Sequence, residues 1–284
     1  MLESLKQLLI AFMIGLILCP PSMVYAAGIQ VDGGAPAANQ ATMDAAPNGV
    51  PVVNIATPQN GMSHNMFTDF NVTSQGVILN NSVNPGVSQL GGVLAPNANL
   101  GGSAASTILN EVTGGGRSSI QGHTEIFGQS ANYILANPNG ISINGGGFIN
   151  TPKATLTTGT PQFSGGAFQG LDVRGGDILV EGAGINTNNI DAFELVTRAA
   201  QINADIYAKR LDIITGQNRH NPVSGTTTPL VPDGSVVPTV SIDSAALGGM
   251  YAGRITLVGT EAGRGRQYPG YCPGHRTSGD DGGR

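Results

Sequence analysis

A chain of 284 residues has room for one large domain or two small ones. Gly supplies 43 positions, Pro 17 and Trp none, and only 11% of residues are charged, which argues against an ordinary helical enzyme. A 40% hydrophobic fraction excludes general disorder, and a net charge of −5 offers no basic footprint for nucleic acid or an anionic membrane surface.

Residues 1–26 read as a signal peptide. An apolar run from Leu8 to Leu18 follows the single basic residue Lys6 and stops before Pro20-Pro21, and Val24 and Ala26 place small residues at the −3 and −1 positions of a cleavage site after Ala26. A membrane anchor is the alternative, but the run is roughly half of the ~20 residues a spanning helix requires. A lipoprotein signal at Cys19 is a second, with Leu18 larger than the small residue such a site takes. Removal of the signal leaves Cys272 alone, so no intramolecular disulfide is expected in the mature chain.

From Gly28 onward strand-sized apolar runs recur: Val52-Val53-Asn54-Ile55, Val77-Ile78-Leu79, Tyr133-Ile134-Leu135, Ile178-Leu179-Val180, Leu211-Asp212-Ile213-Ile214, Val240-Ser241-Ile242 and Ile255-Thr256-Leu257-Val258. Turn signals separate them, at Asn60-Gly61, Pro138-Asn139-Gly140, Gly145-Gly146-Gly147 and Gly175-Gly176. Between Leu171 and Ile213 small apolar pairs alternate with Gly- or Asn-bearing corners, as expected if successive coils of a solenoid stack and bury one continuous column. Corner asparagines are then expected to hydrogen-bond their equivalents one coil away. The expected fold is all-β, a right-handed parallel β-helix over 27–263 with an N-terminal β cap over the open first coil and extra-helical loops. A β-sandwich is the alternative. Residues 218–238, rich in Thr and Pro, interrupt the rhythm and read as an excursion from the stack.

The run Asn54-Ile55-Ala56-Thr57-Pro58-Gln59-Asn60-Gly61-Met62-Ser63-His64-Asn65, then Phe67, Phe70-Asn71-Val72 and Gly76 to Ser82, resembles the start of a known secretion domain. The likeness continues through Thr107 to Val112, Glu125-Ile126-Phe127-Gly128 and Ala136-Asn137-Pro138-Asn139-Gly140-Ile141 to Gly147-Phe148-Ile149-Asn150-Thr151. The family is the N-terminal two-partner-secretion (TPS) domain of filamentous haemagglutinins, haemolysins and contact-dependent inhibition exoproteins. One departure stands out: the family's Asn-Pro-Asn-Leu motif is here Asn97-Ala98-Asn99-Leu100. Losing the proline's fixed φ should loosen that turn without abolishing it.

The resemblance implies a secretion and targeting module without catalysis of its own. The resemblance further implies export by the Sec machinery through the periplasm of a Gram-negative bacterium to the exterior or cell surface, with nucleation of β-helix folding expected there. The implied partner is an outer-membrane β-barrel transporter of the TpsB type, and the implied secretion-motif residues are Asn97, Asn99, Leu100, Asn137, Pro138, Asn139 and Gly140. In Asn137–Gly140, Pro suits the first central turn position, Asn tolerates the left-handed region and Gly takes positive φ freely; a plain structural turn is the competing reading. Binding of a host glycan or receptor would belong to downstream regions.

His64, His123, His220 and His275 lack metal-ligand spacing, so no metal or cofactor is expected. No G-x-S-x-G elbow or P-loop is present. Asp172, Asp177, Asp191, Asp205 and Asp212 fall one per strand or corner, which reads as solvated corners rather than paired catalytic carboxylates. A secreted carbohydrate-active β-helix and a stand-alone surface adhesin stay as alternatives. The final segment 264–284, rich in Gly, Arg and Pro, lacks apolar periodicity and is expected to be out-of-frame sequence at the end of a truncated product.

Overall fold

A computed structural model describes residues 28–244, 249–261 and 265–267, the side chains of 244 and 265–267 excepted. Among them helix is confined to two single 3-10 turns, Ala37–Asn39 and Ala98–Leu100. The segment read from the sequence as a signal peptide, Ala26 included, lies outside the described residues, as do 268–284.

Strands in coil after coil stack in parallel into three faces. The first contains Met62–Phe70, Thr107–Val112, Asn132–Ala136, Lys153–Thr157, Ala192–Thr197, residues 211–215 and residues 254–259. The second contains Val72, Ser118–Ile120, Ile141–Ile143, Asp177–Val180, Ala199–Ile202, Val240–Ser244 and Gly265–Gln267. The third contains Pro51–Asn54, Val77–Asn81, His123–Gly128 and Gly147–Ile149, with Ile185–Thr187, 206–208 and 250–252 carrying it onward. The chain is thus a parallel β-helix, and the handedness rule for parallel crossovers makes it right-handed. Gly265–Gln267, in the segment expected to lie outside the domain, pairs with the strand Val240–Ser244.

Side-chain alternation builds the core. On the first face the in-register residues Ile108, Tyr133, Ala154, Phe193 and Leu211 form one inward column, and Leu135, Leu156, Leu195 and Ile213 form the next. Each fully buried aliphatic or aromatic chain contributes about 1.5–3 kcal/mol relative to exposure, an upper estimate given a compact unfolded state. The column is polar only at its start, where buried Asn65 donates to Asn110 Oδ1 at 3.1 Å. Asn80 donates to Asn54 in the same way at 2.9 Å. The expected asparagine contacts between coils therefore form, but on strands rather than at corners.

Ile29–Val31 pairs antiparallel with residues 67–70, and Thr42–Ala45 pairs antiparallel with Pro51–Asn54. Ile29 and Ala41 enter the main core, so this is the expected cap over the first coil. Asn60 and Gly61 take φ of 51° and 82° between Gln59 and Met62, whose backbones exchange two hydrogen bonds. This two-residue turn turns the chain into the first long strand.

Two extra-helical units cover the outside. The hairpin Gly86–Ser88/Gly92–Leu94 lies over the third face, where Val52, Ile78, Leu94 and Phe127 form a second cluster. A four-stranded antiparallel sheet, Thr160–Ser164, Ala167–Val173, Asn218–Asn221 and Thr226–Pro229, lies over the first face. The predicted excursion at 218–238 supplies half of it. The other half corrects the sequence reading: Leu171 and Val173, expected in the coil columns, belong to this outer sheet. Leu171 packs on Leu109, Ile134 and Ala136, and Val173 on Val196 and Ile214, all on the outward side of the first face.

Candidate functional site

The two asparagine motifs form the same device in different coils. Asn97 precedes the turn Ala98–Leu100; its Oδ1 accepts from Asn99 N at 2.9 Å, and its Nδ2 donates to Ile55 O and Asn80 O, both at 2.9 Å. Asn99 Nδ2 reaches Asn54 O at 3.2 Å and Thr42 Oγ1 at 3.3 Å, and Leu100 sits in the main core. Gly101 ends the turn at φ +59°. With Ala98 in place of proline the turn still forms, because the Asn97 cap and the buried Leu100 fix it from both sides.

Asn137, fully buried, repeats the pattern. Its Oδ1 accepts from Asn139 N at 2.9 Å, and its Nδ2 donates to Gly116 O and Ser118 Oγ, each at 2.9 Å. Asn139 Nδ2 donates to Gly114 O at 2.7 Å, and Gly140 N closes the turn onto Asn137 O at 3.1 Å. The positive φ falls on Gly140 alone, at +107°, so Asn139 does not use the left-handed region the sequence reading allowed it. Pro138 and Asn139 are exposed, whereas Asn137 and Gly140 are buried. One carboxamide in each motif thus caps its own turn while holding neighbouring coils.

Three charged residues whose roles the sequence did not reveal complete this architecture. Arg117 passes beside Gly140 and makes an ion pair with Asp177 at 2.8 Å. Glu125, buried on the outward side of the third face, accepts from Ser88 Oγ at 2.7 Å and from Gln89 N and Leu90 N at 2.8 Å, gripping the hairpin. Glu194, buried on the first face, is 2.6 Å from Lys153 Nζ and 3.5 Å from His220 Nε2 of the outer sheet. Burial pushes its carboxyl upward, but Lys153, 2.6 Å away, and the adjacent His220 imidazole prevail and hold it below the usual value. Lys153 also donates to Pro222 O at 2.7 Å. A single sequence offers little signal for any of these roles, since each partner is distant along the chain.

A cleft of about 780 Å³ lies between the cap, the outward side of Met62–Phe70 and the outer sheet. His64 stacks on Phe163 there at 5.0 Å, and its Nε2 is 2.7 Å from Glu111. Among the described residues His64 is the one titratable group in the cleft lining, so these residues supply no carboxylate pair there for glycoside hydrolysis. The five aspartates have separate partners: Asp172 with Arg219, Asp177 with Arg117, Asp191 with Lys209, Asp205 with Tyr207 and Asp212 with Arg210. Asp172 and Asp212 are shielded rather than solvated corners. Among the described residues no group of three or more His, Cys, Asp or Glu could hold a metal ion.

A capped parallel β-helix with outer sheets latched to its faces and asparagine turns tying its early coils is the architecture of a bacterial secretion module. The chain belongs to the TPS secretion domain family, which matches residues 27–271. It is 50% identical over 227 residues to the 16S rRNA endonuclease CdiA of Enterobacter cloacae, covering 78% of this chain and 7% of that protein. It is 51% identical over 233 residues to the tRNA nuclease CdiA of Escherichia coli strain STEC_O31, covering 80% and 7%. The chain therefore spans a small fraction of the length of these relatives. Among solved structures it resembles the filamentous hemagglutinin secretion domain, with a TM-score of 0.77 and 38% identity over 84% of this chain and 81% of that one.

Proposed function

We propose that the chain is the secretion and targeting module of a contact-dependent toxin of the CdiA kind, with no catalysis of its own. The supporting observation is where the likeness falls: about half of the aligned residues are identical over some four-fifths of this chain, yet they occupy 7% of each relative. The nuclease names of those relatives describe proteins many times longer. Passage by the Sec machinery into the periplasm of a Gram-negative bacterium precedes recognition by a TpsB-type β-barrel in the outer membrane. The module then folds outside, and the stacked β-helix resists return.

Within the motifs we assign two kinds of work. Asn97, Leu100, Asn137 and Gly140, all inside the fold or at its turn ends, set the early coils, whereas exposed Pro138 and Asn139 offer a surface to the transporter. Co-expression with and without the cognate transporter tests the reading. Chain in the medium or on the cell surface only when the transporter is present is the expected result; export at the same level without it would overturn the proposal.

A further inference from the structure

Gly140 is the one motif residue whose side-chain space is already taken. A Cβ there would lie 2.5 Å from Arg117 Nη1 and 2.9 Å from both Arg117 Cζ and Asp177 O, besides straining a φ of +107°. The occupant is a guanidinium whose donors reach two later coils. Arg117 Nε donates to Ser142 Oγ at 2.8 Å and Nη2 to Ile141 O at 3.0 Å, both in the coil that follows the motif turn. Nη1 and Nη2 then donate to Asp177 Oδ1 and Oδ2 at 2.9 and 2.8 Å, and Nη2 to Asp177 O at 3.1 Å, one coil further on. The adjacent Ser118 holds the turn from its other side, with Oγ on Asn137 Nδ2 at 2.9 Å and its N–H on Gly140 O at 3.1 Å.

We propose that Arg117 is a positioning residue of the secretion module, a clamp across three coils that fixes the Asn137–Gly140 turn in register and closes fully only when Asp177 joins the stack. The partners lie 24, 25 and 60 residues downstream. A chain emerging from its N-terminal side therefore first completes the turn, then has it locked by the next coil. The planar, always-charged fork of arginine suits this task, because one side chain must satisfy carbonyl, hydroxyl and carboxylate acceptors at once. The proposal rests on the secretion reading for its consequence in export, but the clamp itself is testable without it.

Amide hydrogen exchange in the folded Arg117→Gln chain reads the clamp. Exchange at 139–143 should accelerate about tenfold, the size expected for a partly exposed charge-assisted cluster, while residues 193–196 stay within about twofold of wild type. Arg117→Lys, which keeps the charge but loses the fork, should accelerate the same amides by a smaller factor. If Arg117→Gln does not fold, Asp177→Asn is read for the same local pattern. Unchanged exchange at 139–143, or a uniform rise through both segments, would overturn the clamp. In cells carrying the transporter, Arg117→Gln should lower the exported amount at least about fivefold at equal synthesis, and undiminished export would overturn its role in secretion. Failure of the wild-type chain to depend on the transporter would instead defeat the secretion reading, with the exchange result still deciding the clamp.

Discussion

At the scale of single residues, the short carboxamide of Asn137 is the economical way to join a turn to a stack. It has one acceptor for the turn's own N–H and donors for a neighbouring coil, and it makes four contacts from a fully buried position. Asn137→Ala removes at once the partner of buried Ser118 Oγ and those of Gly116 O and Asn139 N at the turn's outer edge. The expected loss is about 2–3 kcal/mol, measured by denaturant unfolding. Pro138→Ala, on the exposed tip of the same turn, should change stability by less than about 1 kcal/mol. Equal losses for the two would mean that the carboxamide holds nothing the turn does not hold alone.

Among elements, the outer sheets depend on buried carboxylates as well as on apolar contact. Glu194 ties the four-stranded sheet to the first face through His220 and Lys153, with Thr155 Oγ1 at 2.9 Å. Its pKa is lowered in the folded state from an ordinary 4.5, so its contribution is present above 4.5 and is lost as pH falls through the lower folded value. Acid should therefore release this sheet below about pH 4.5, before the coil itself unfolds, and amide exchange at Leu171 and His220 reports it. In Glu194→Gln that acid step should vanish, with the sheet held more weakly at neutral pH. An acid step of unchanged size in the variant would place the responsible carboxylate elsewhere.

For the molecule as a whole, stability comes from columns that no single coil can bury alone, each coil leaning on its neighbours. Leu156 stands between Leu135 and Leu195 in register, fully buried. Leu156→Ala should cost about 2–5 kcal/mol, because hydrogen-bonded strands on both sides prevent the cavity from collapsing. Thermal or denaturant unfolding checks it, with Val87→Ala, at a position 76% exposed, as the neutral control. A loss below about 1 kcal/mol at Leu156 would mean that the stack relaxes far more readily than a close-packed solenoid allows.

The sequence by itself determined that the chain is built of many short strands. Alternating apolar runs with Asn-Gly and Gly-Gly corners require many strands and frequent turns, which are local properties of pattern and turn chemistry, whereas stacking into a capped solenoid rather than a sandwich was decided in three dimensions. Which apolar residues face the interior was left to tertiary structure. Val77, Ile78 and Leu79 are all buried, the outer two in the main core and Ile78 outward beneath the hairpin. Where extra-helical units cover the outside, a period of two no longer separates inside from out, which is why Leu171 and Val173 read as coil residues yet pack from without. The same limit hid Arg117, Glu125 and Glu194. Their roles exist only once residues about 20 to 60 positions apart are stacked, and no local pattern encodes which coil will arrive beside which.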